Sequence, residues 1–163
     1  MRTLVVITVG LALAAGMTLA AQAAKPDFSG TWTLDKDRSY SNAPGFDQTM
    51  TLVHVGNEVK IEARLKTAQG EQHITETWQL DGEQRPYQPT SAVPAKGLRT
   101  ASWMPGNRGI LVSDEIITET PNGTTTMKVV RKLMLSSDRK TLAVDYYTDT
   151  QRGSGESKRV FAR

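Results

Sequence analysis

The sequence predicts an all-β domain, an antiparallel up-and-down barrel or strongly curved sheet of about 8–10 strands. Three observations predict it. Beyond residue 23 no stretch carries the apolar period of a long amphipathic helix. Thr, Val and Ile are frequent, and turn residues recur between short runs of alternating character. The runs follow one another through short hairpin links, whereas a β-sandwich needs longer crossovers. A meander that closes on itself also hides its edges.

The first segment is a leader. Met1-Arg2-Thr3 precedes an uncharged run from Leu4 to Ala21, and Ala21-Gln22-Ala23 has the small-x-small form of a cleavage site. Residues 1–23 are expected to be a secretory signal peptide, cut after Ala23 or Ala24. The run is long enough for an anchor, but Gly10 and Gly16 interrupt it and polar residues follow directly. The expected product is a single domain, residues 24–163, exported by a bacterial cell to the periplasm or beyond. No stable membrane insertion is expected after cleavage. An exporting route permits disulfides, yet the chain has no cysteine, so the core must hold the fold unaided.

Composition narrows the function. Twenty basic residues against 17 acidic ones give a net charge of +3, with the signs interspersed. That pattern does not indicate nucleic acid. Two histidines and no cysteine speak against a structural zinc site. No cofactor is expected, and a monomer is.

The strands are read in order. Phe28 to Leu34 is the first, followed by a polar loop from Asp35 to Asp47 with a break at Asn42-Ala43-Pro44-Gly45. Thr49 to Val55 and Glu58 to Lys66 form the clearest hairpin, joined by Gly56-Asn57. Glu71 to Leu80 follows, then Asp81-Gly82 and a short strand at Glu83 to Tyr87. After a Pro-rich loop over Pro86 to Pro94 come Leu98 to Met104, Gly109 to Thr120 and Thr124 to Leu135, with Pro121-Asn122-Gly123 as a turn. Lys140 to Asp149 and Glu156 to Ala162 complete the chain.

Alternation assigns faces. Val59, Ile61, Ala63 and Leu65 share one face of their strand, with charges on the other. Phe28, Gly30, Trp32 and Leu34 share another, as do Ile74, Glu76, Trp78 and Leu80. Met127, Val129, Arg131, Leu133 and Leu135 face inward on theirs, and Leu142, Val144 and Tyr146 on the next. Gly109 to Thr120 is apolar on both faces, which leaves its phase open. Several polar groups therefore fall inside: His54, Glu76, Arg131 and, in one phase, Glu115. Buried charge is costly unless it is paired or hydrated. Either these groups orient a ligand, or Arg131 pairs with Glu76 or Glu115 and no ligand is involved.

No catalytic constellation is present: the nucleophile elbow, phosphate loop and zinc-protease motifs are missing. His54 and His73 are the only candidate bases, and His73 falls on an outer face. Asp114 and Glu115 are adjacent in a strand, so they point apart and cannot form a dyad.

With Gly30-Thr31-Trp32 placed on the first strand, "FSGTWTLD" (Phe28–Asp35) resembles the first-strand Gly-x-Trp motif of the lipocalins and calycins. The region 26–163 is similar to the small secreted bacterial proteins described as lipocalin-like, through "WQLDGE" (Trp78–Glu83), "RTASWMPGNRGILV" (Arg99–Val112) and "LMLSSDRKTLAVD" (Leu133–Asp145). The resemblance implies a barrel with an internal pocket, and a late-strand cation across the first-strand Trp. Trp32 matches that Trp, and Arg159 or Arg163 would supply the cation. The chain departs from lipocalins in lacking their disulfide and in showing no C-terminal helix.

The leading expectation is a lipocalin-like domain that binds a small apolar or amphipathic ligand. Trp78, Trp103, Met127 and Tyr146 would line the pocket, and Arg131 would meet a polar end. The alternative is an envelope protein-interaction module or protease-inhibitor-like barrel, using loops such as Arg85 to Lys96, with a protein partner and no small-molecule ligand.

Overall fold

The computed structural model describes residues 24–41, 46–90, 93–121 and 123–163. The leader, the Asn42 to Gly45 break and Asn122 of the Pro121-Asn122-Gly123 turn lie outside them. Ten strands follow in chain order: β1 (Gly30–Tyr40), β2 (Asp47–Val55), β3 (Glu58–Thr67), β4 (Gly70–Gln79), β5 (Asp81–Tyr87), β6 (Ala95–Trp103), β7 (Ile110–Thr120), β8 (Gly123–Leu135), β9 (Thr141–Thr150) and β10 (Gly153–Ala162). One 3₁₀ turn, Pro105–Asn107, joins β6 to β7.

All ten belong to one antiparallel sheet in the order β4-β3-β2-β1-β10-β9-β8-β7-β6-β5. Each strand pairs with its neighbour in sequence, and β1 meets β10 to close the meander. The sandwich alternative is thereby excluded. The two edges of the sheet are β4 and β5, which are consecutive in the chain and separated by Leu80 alone. The barrel is nearly closed, with one seam where covalent linkage replaces a ladder.

The β2–β3 hairpin has the register its Gly-Asn turn dictates, with Val55 opposite Glu58. Gly56 has φ 64°, a conformation that needs glycine there. The first strand runs longer than its sequence suggests. Lys36 to Tyr40, expected in a loop, continue β1 past a bulge, and Tyr40 pairs with Lys158. Ser39 explains the continuation: its hydroxyl donates to the Asp35 carbonyl at 2.5 Å and accepts the Val160 N–H at 2.9 Å. This fold-over of β1 also buries Val160, which points away from the barrel interior.

One end of the barrel is packed solid. Phe28, Trp32, Leu52, Val59, Ile110, Val112, Leu142 and Phe161 are fully buried there or beside it. Each contributes roughly 1.5–3 kcal/mol by leaving water, with more for the large aromatics. The chain before β1 crosses this end, and Leu80 ties the β4–β5 turn to the β2–β3 turn through its N–H to the Asn57 carbonyl at 2.7 Å. Inward residues nearer the other end, such as Leu34, Ile74, Met127 and Tyr146, are only partly buried. The interior is therefore filled at the closed end and looser towards the mouth.

Candidate functional site

The closed end accounts for the Gly-x-Trp unit. Trp32 is completely buried, its indole N–H donating to the Phe28 carbonyl at 3.1 Å. The Arg163 guanidinium lies 4.6 Å from the ring centre and donates to the Ser29 carbonyl at 3.0 Å. Of the two cations the resemblance offers, Arg163 is therefore the one across Trp32. A Cβ at Gly30 would come within 3.0 Å of that guanidinium, and its φ of 139° also favours glycine.

Trp103 and His54 belong to the same end. Their rings are 5.4 Å apart, Phe28 packs against both, and Lys25 lies 5.1 Å over Trp103. His54 accepts the Phe28 N–H at Nδ1, 3.4 Å away, and Nε2 is 3.2 Å from the Gly56 carbonyl. Its nearest carboxylate, on Asp27, is 3.7 Å away. The imidazole thus fastens the crossing segment to the barrel floor.

Farther inside is a cavity of about 180 Å³, the space of about six water molecules at liquid density. Met50, Leu52, Ile61, Leu133 and Val144 make its apolar wall, and Gln48, Glu76, Trp78, Arg131, Tyr146 and Arg159 bring polar atoms to it. It is smaller than a typical drug-sized pocket, about 300–1,000 Å³. Two larger hollows lie on the outer surface, one of about 360 Å³ over Thr49, Arg64 and His73 and one of about 560 Å³ over Pro86, Leu98 and Ile117.

Four charged side chains form a closed quartet beside the cavity. Arg99 binds Asp114 through Nε at 2.6 Å and Nη2 at 2.9 Å, and reaches Glu76 from Nη1 at 2.9 Å. Arg131 gives Nη2 to Asp114 at 2.8 Å and Nη1 to Glu76 at 3.4 Å. The Trp78 indole N–H adds a 2.8 Å bond to Glu76. Two cations meet two anions, so the quartet is neutral. Burial pushes the Glu76 carboxyl up, but Arg131 and Arg99 outweigh it and hold it below its usual range. The Tyr87 ring covers Arg99 at 3.8 Å, and burial, with Asp114 nearby, pushes its hydroxyl up to about 12.

The pairing alternative for Arg131 is thus realised with Glu76, and with Asp114 in place of Glu115. β7 places Ile110, Val112 and Asp114 inward, which turns Glu115 to the outer face. Arg99 is a member that sequence reasoning missed. Its inward neighbours on β6 are Ala95, Gly97 and Ala101, too small to mark an apolar face.

Arg159 differs from the quartet arginines. Its Nη1 donates to the Gln48 side-chain oxygen at 3.0 Å and to the Tyr146 hydroxyl at 3.4 Å, both neutral. The rings of Phe46 and Tyr146 each lie 4.5 Å from its guanidinium. Its Nε is buried without an acceptor, and among the described residues no carboxylate pairs with it. Arg159 is therefore an uncompensated cation on the cavity wall.

Of the expected pocket residues, Trp78, Arg131 and Tyr146 come together around the cavity. Met127 is on the inner face of β8, four positions towards the mouth from Arg131, and does not reach the cavity wall. Trp103 is at the closed end, packed on His54 and Phe28. Gln48 and Arg159 are additions. Gln48 stands just outside the second predicted strand, and the sequence offers Arg159 only as a partner for Trp32.

No protein-family profile matches the chain, and no curated protein does. Solved structures are similar in fold. The fatty-acid-binding protein isolated from Manduca sexta L aligns over 85% of this chain and 100% of its own, with a TM-score of 0.50 and 9% identity. The zebrafish ileal bile acid-binding protein, in a structure complexed with cholic acid, aligns over 83% of this chain and 98% of its own, with a TM-score of 0.52 and 12% identity. At such identities the likeness shows the fold, a nearly closed antiparallel barrel of the calycin, lipocalin-like type.

Proposed function

We propose that this barrel binds a small amphiphile with one anionic head group, the head at Arg159 and the tail against Met50, Leu52, Leu133 and Val144. The observation that carries this reading is Arg159, a guanidinium with no carboxylate partner among the described residues, on a cavity wall whose apolar side is Met50, Leu52, Ile61, Leu133 and Val144. Arg159 is half-buried, so part of its charge is desolvated with only neutral partners, which is costly, and an anion from outside offsets that cost. Gln48 and Tyr146 hold the guanidinium in place through Nη1, which keeps its other nitrogens for a ligand. The structural neighbours support the reading, since the names of both describe binders of acids of this general kind. The cavity volume suits the head and first carbons of a short chain.

The leader pattern of residues 1–23 supports an exported protein that meets its ligand outside the cytoplasm. Cell fractionation of the tagged full-length chain tests that part separately.

Calorimetric titration with octanoate, octanol and octylamine tests the ligand class. Octanoate is expected to bind at least about tenfold more tightly than octanol, the worth of one charge-assisted hydrogen bond, and octylamine not at all. Equal affinity for the three, or no binding of any, overturns the reading.

A further inference from the structure

We propose that the ligand also carries an uncharged oxygen partway along its tail, which accepts a hydrogen bond from the Nε–H of Arg131. This rests on the anionic-head reading above and extends it from the head group to the tail.

Among the described residues, only two buried side-chain polar atoms lack a hydrogen-bond partner, Nε of Arg159 and Nε of Arg131. Both residues line the same cavity. Buried polar groups in folded proteins are almost always satisfied, so each exception asks for a missing partner. At Arg159 that partner is the head group. At Arg131 a second anion is excluded, because Glu76 and Asp114 already balance Arg99 and Arg131. A cation is excluded as well: the Glu76 Oε2 already accepts from Trp78, Arg99 and Arg131, and Asp114 Oδ2 from both arginines. What the quartet leaves over is a donor. Its complement is a neutral acceptor, a hydroxyl or carbonyl oxygen.

The placement suits one ligand touching both groups. On β9, Tyr146 is opposite Arg131 and Val144 is opposite Arg159. Two strand spacings and a two-residue offset put the Arg131 and Arg159 Cα atoms roughly 12 Å apart. Both side chains reach the same cavity, Arg131 from the side of Glu76 and Asp114 and Arg159 from the side of Gln48 and Tyr146. Donation from Nε requires the Arg131 guanidinium to turn, since the atom is buried; the 3.4 Å Nη1 contact with Glu76 is the weaker tether, and Nη2 holds Asp114 at 2.8 Å.

The test uses the unmodified protein and a panel of eight-carbon carboxylates. Octanoate is compared with its hydroxylated forms, the hydroxyl stepped along the chain from the third carbon to the last. One mid-chain isomer is expected to bind roughly tenfold more tightly than octanoate, the gain of satisfying one buried donor. In ¹⁵N-resolved NMR the Arg131 Nε–Hε signal is expected to move downfield with that isomer and to stay in place with octanoate. A panel that binds no better than octanoate overturns the inference and leaves the anionic-head reading standing. A preferred isomer that leaves the Arg131 Nε–Hε signal unmoved also overturns it. Failure of octanoate and the whole panel to bind overturns both readings.

Discussion

Glu76 on β4 meets Arg99 on β6 at 2.9 Å, spanning the seam where, among the described residues, β4 and β5 share no ladder. It reaches Arg131 on β8 as well. Side-chain charge therefore does at the seam what backbone hydrogen bonds do elsewhere. Removing Glu76 leaves two buried arginines sharing Asp114 alone. Glu76→Ala is expected to cost about 3–5 kcal/mol, the range for breaking a buried ion pair from one side. Denaturant titration measures the loss, and hydrogen exchange should find it concentrated in β4 and β5. Uniform loss of protection around the barrel would show that Glu76 does not act at the seam.

The same carboxyl gives an acid signature. Its folded pKa is lowered from an ordinary value of 4.5, so the folded state favours the ionised form. The stabilisation is complete above the ordinary value and is lost as the pH falls through the lowered one. Between about pH 6 and about pH 3 the wild type should therefore lose more stability than Glu76→Gln, which has no proton to take up there. Parallel denaturation midpoints for the two proteins over that range would contradict the assignment.

Much of this architecture is legible in the sequence. β3 alternates cleanly, Gly56-Asn57 fixes a register, and Glu76 and Arg131 stand on inward faces before any pairing is known. Other parts are not legible, for physical reasons. β7 carries Ile110-Leu111-Val112 on both faces, so only its pairing with β6 and β8 tells Asp114 from Glu115. The extension of β1 depends on Ser39 meeting Val160, 121 residues away. Arg159 and Arg163 are four apart on the last stretch, and local pattern does not say which one reaches Trp32.

Trp32 is the anchor of the closed end. Trp32→Ala removes a fully buried ring and the partner of Arg163. The expected cost is about 3–5 kcal/mol. Arg163→Ala should cost far less, about 0.5–1 kcal/mol for a cation–π contact at an exposed site. Thermal or chemical unfolding of both variants checks the order, and equal effects would be inconsistent with this packing.

Gly97 is where the seam's aromatic cover approaches the backbone. A Cβ there would collide with the Tyr87 ring. Gly97→Ala should therefore push Tyr87 off Arg99 and into water. Its hydroxyl, held at about 12 by burial and by Asp114, should then titrate near the ordinary tyrosine value of about 10. Ultraviolet difference titration reads this shift. An unchanged titration would mean that the ring keeps its place.

Arg159 allows binding to be separated from stability. A structural arginine lowers stability when it is removed; a half-buried cation with no carboxylate partner costs less to remove, because part of its desolvation cost goes with it. Replacing Arg159 breaks a 3.0 Å bond to Gln48 and a longer one to Tyr146, and ends its stacking on two rings. Each of these interactions is worth about 0.5–1.5 kcal/mol, which the relieved charge offsets. Arg159→Met is therefore expected to unfold within about 1 kcal/mol of the wild type while losing octanoate binding by at least about tenfold. Paired calorimetry and denaturation decide it. A variant that binds octanoate as before, or one that loses several kcal/mol of stability, would make Arg159 a part of the scaffold and move the search for the ligand's head group elsewhere on the wall.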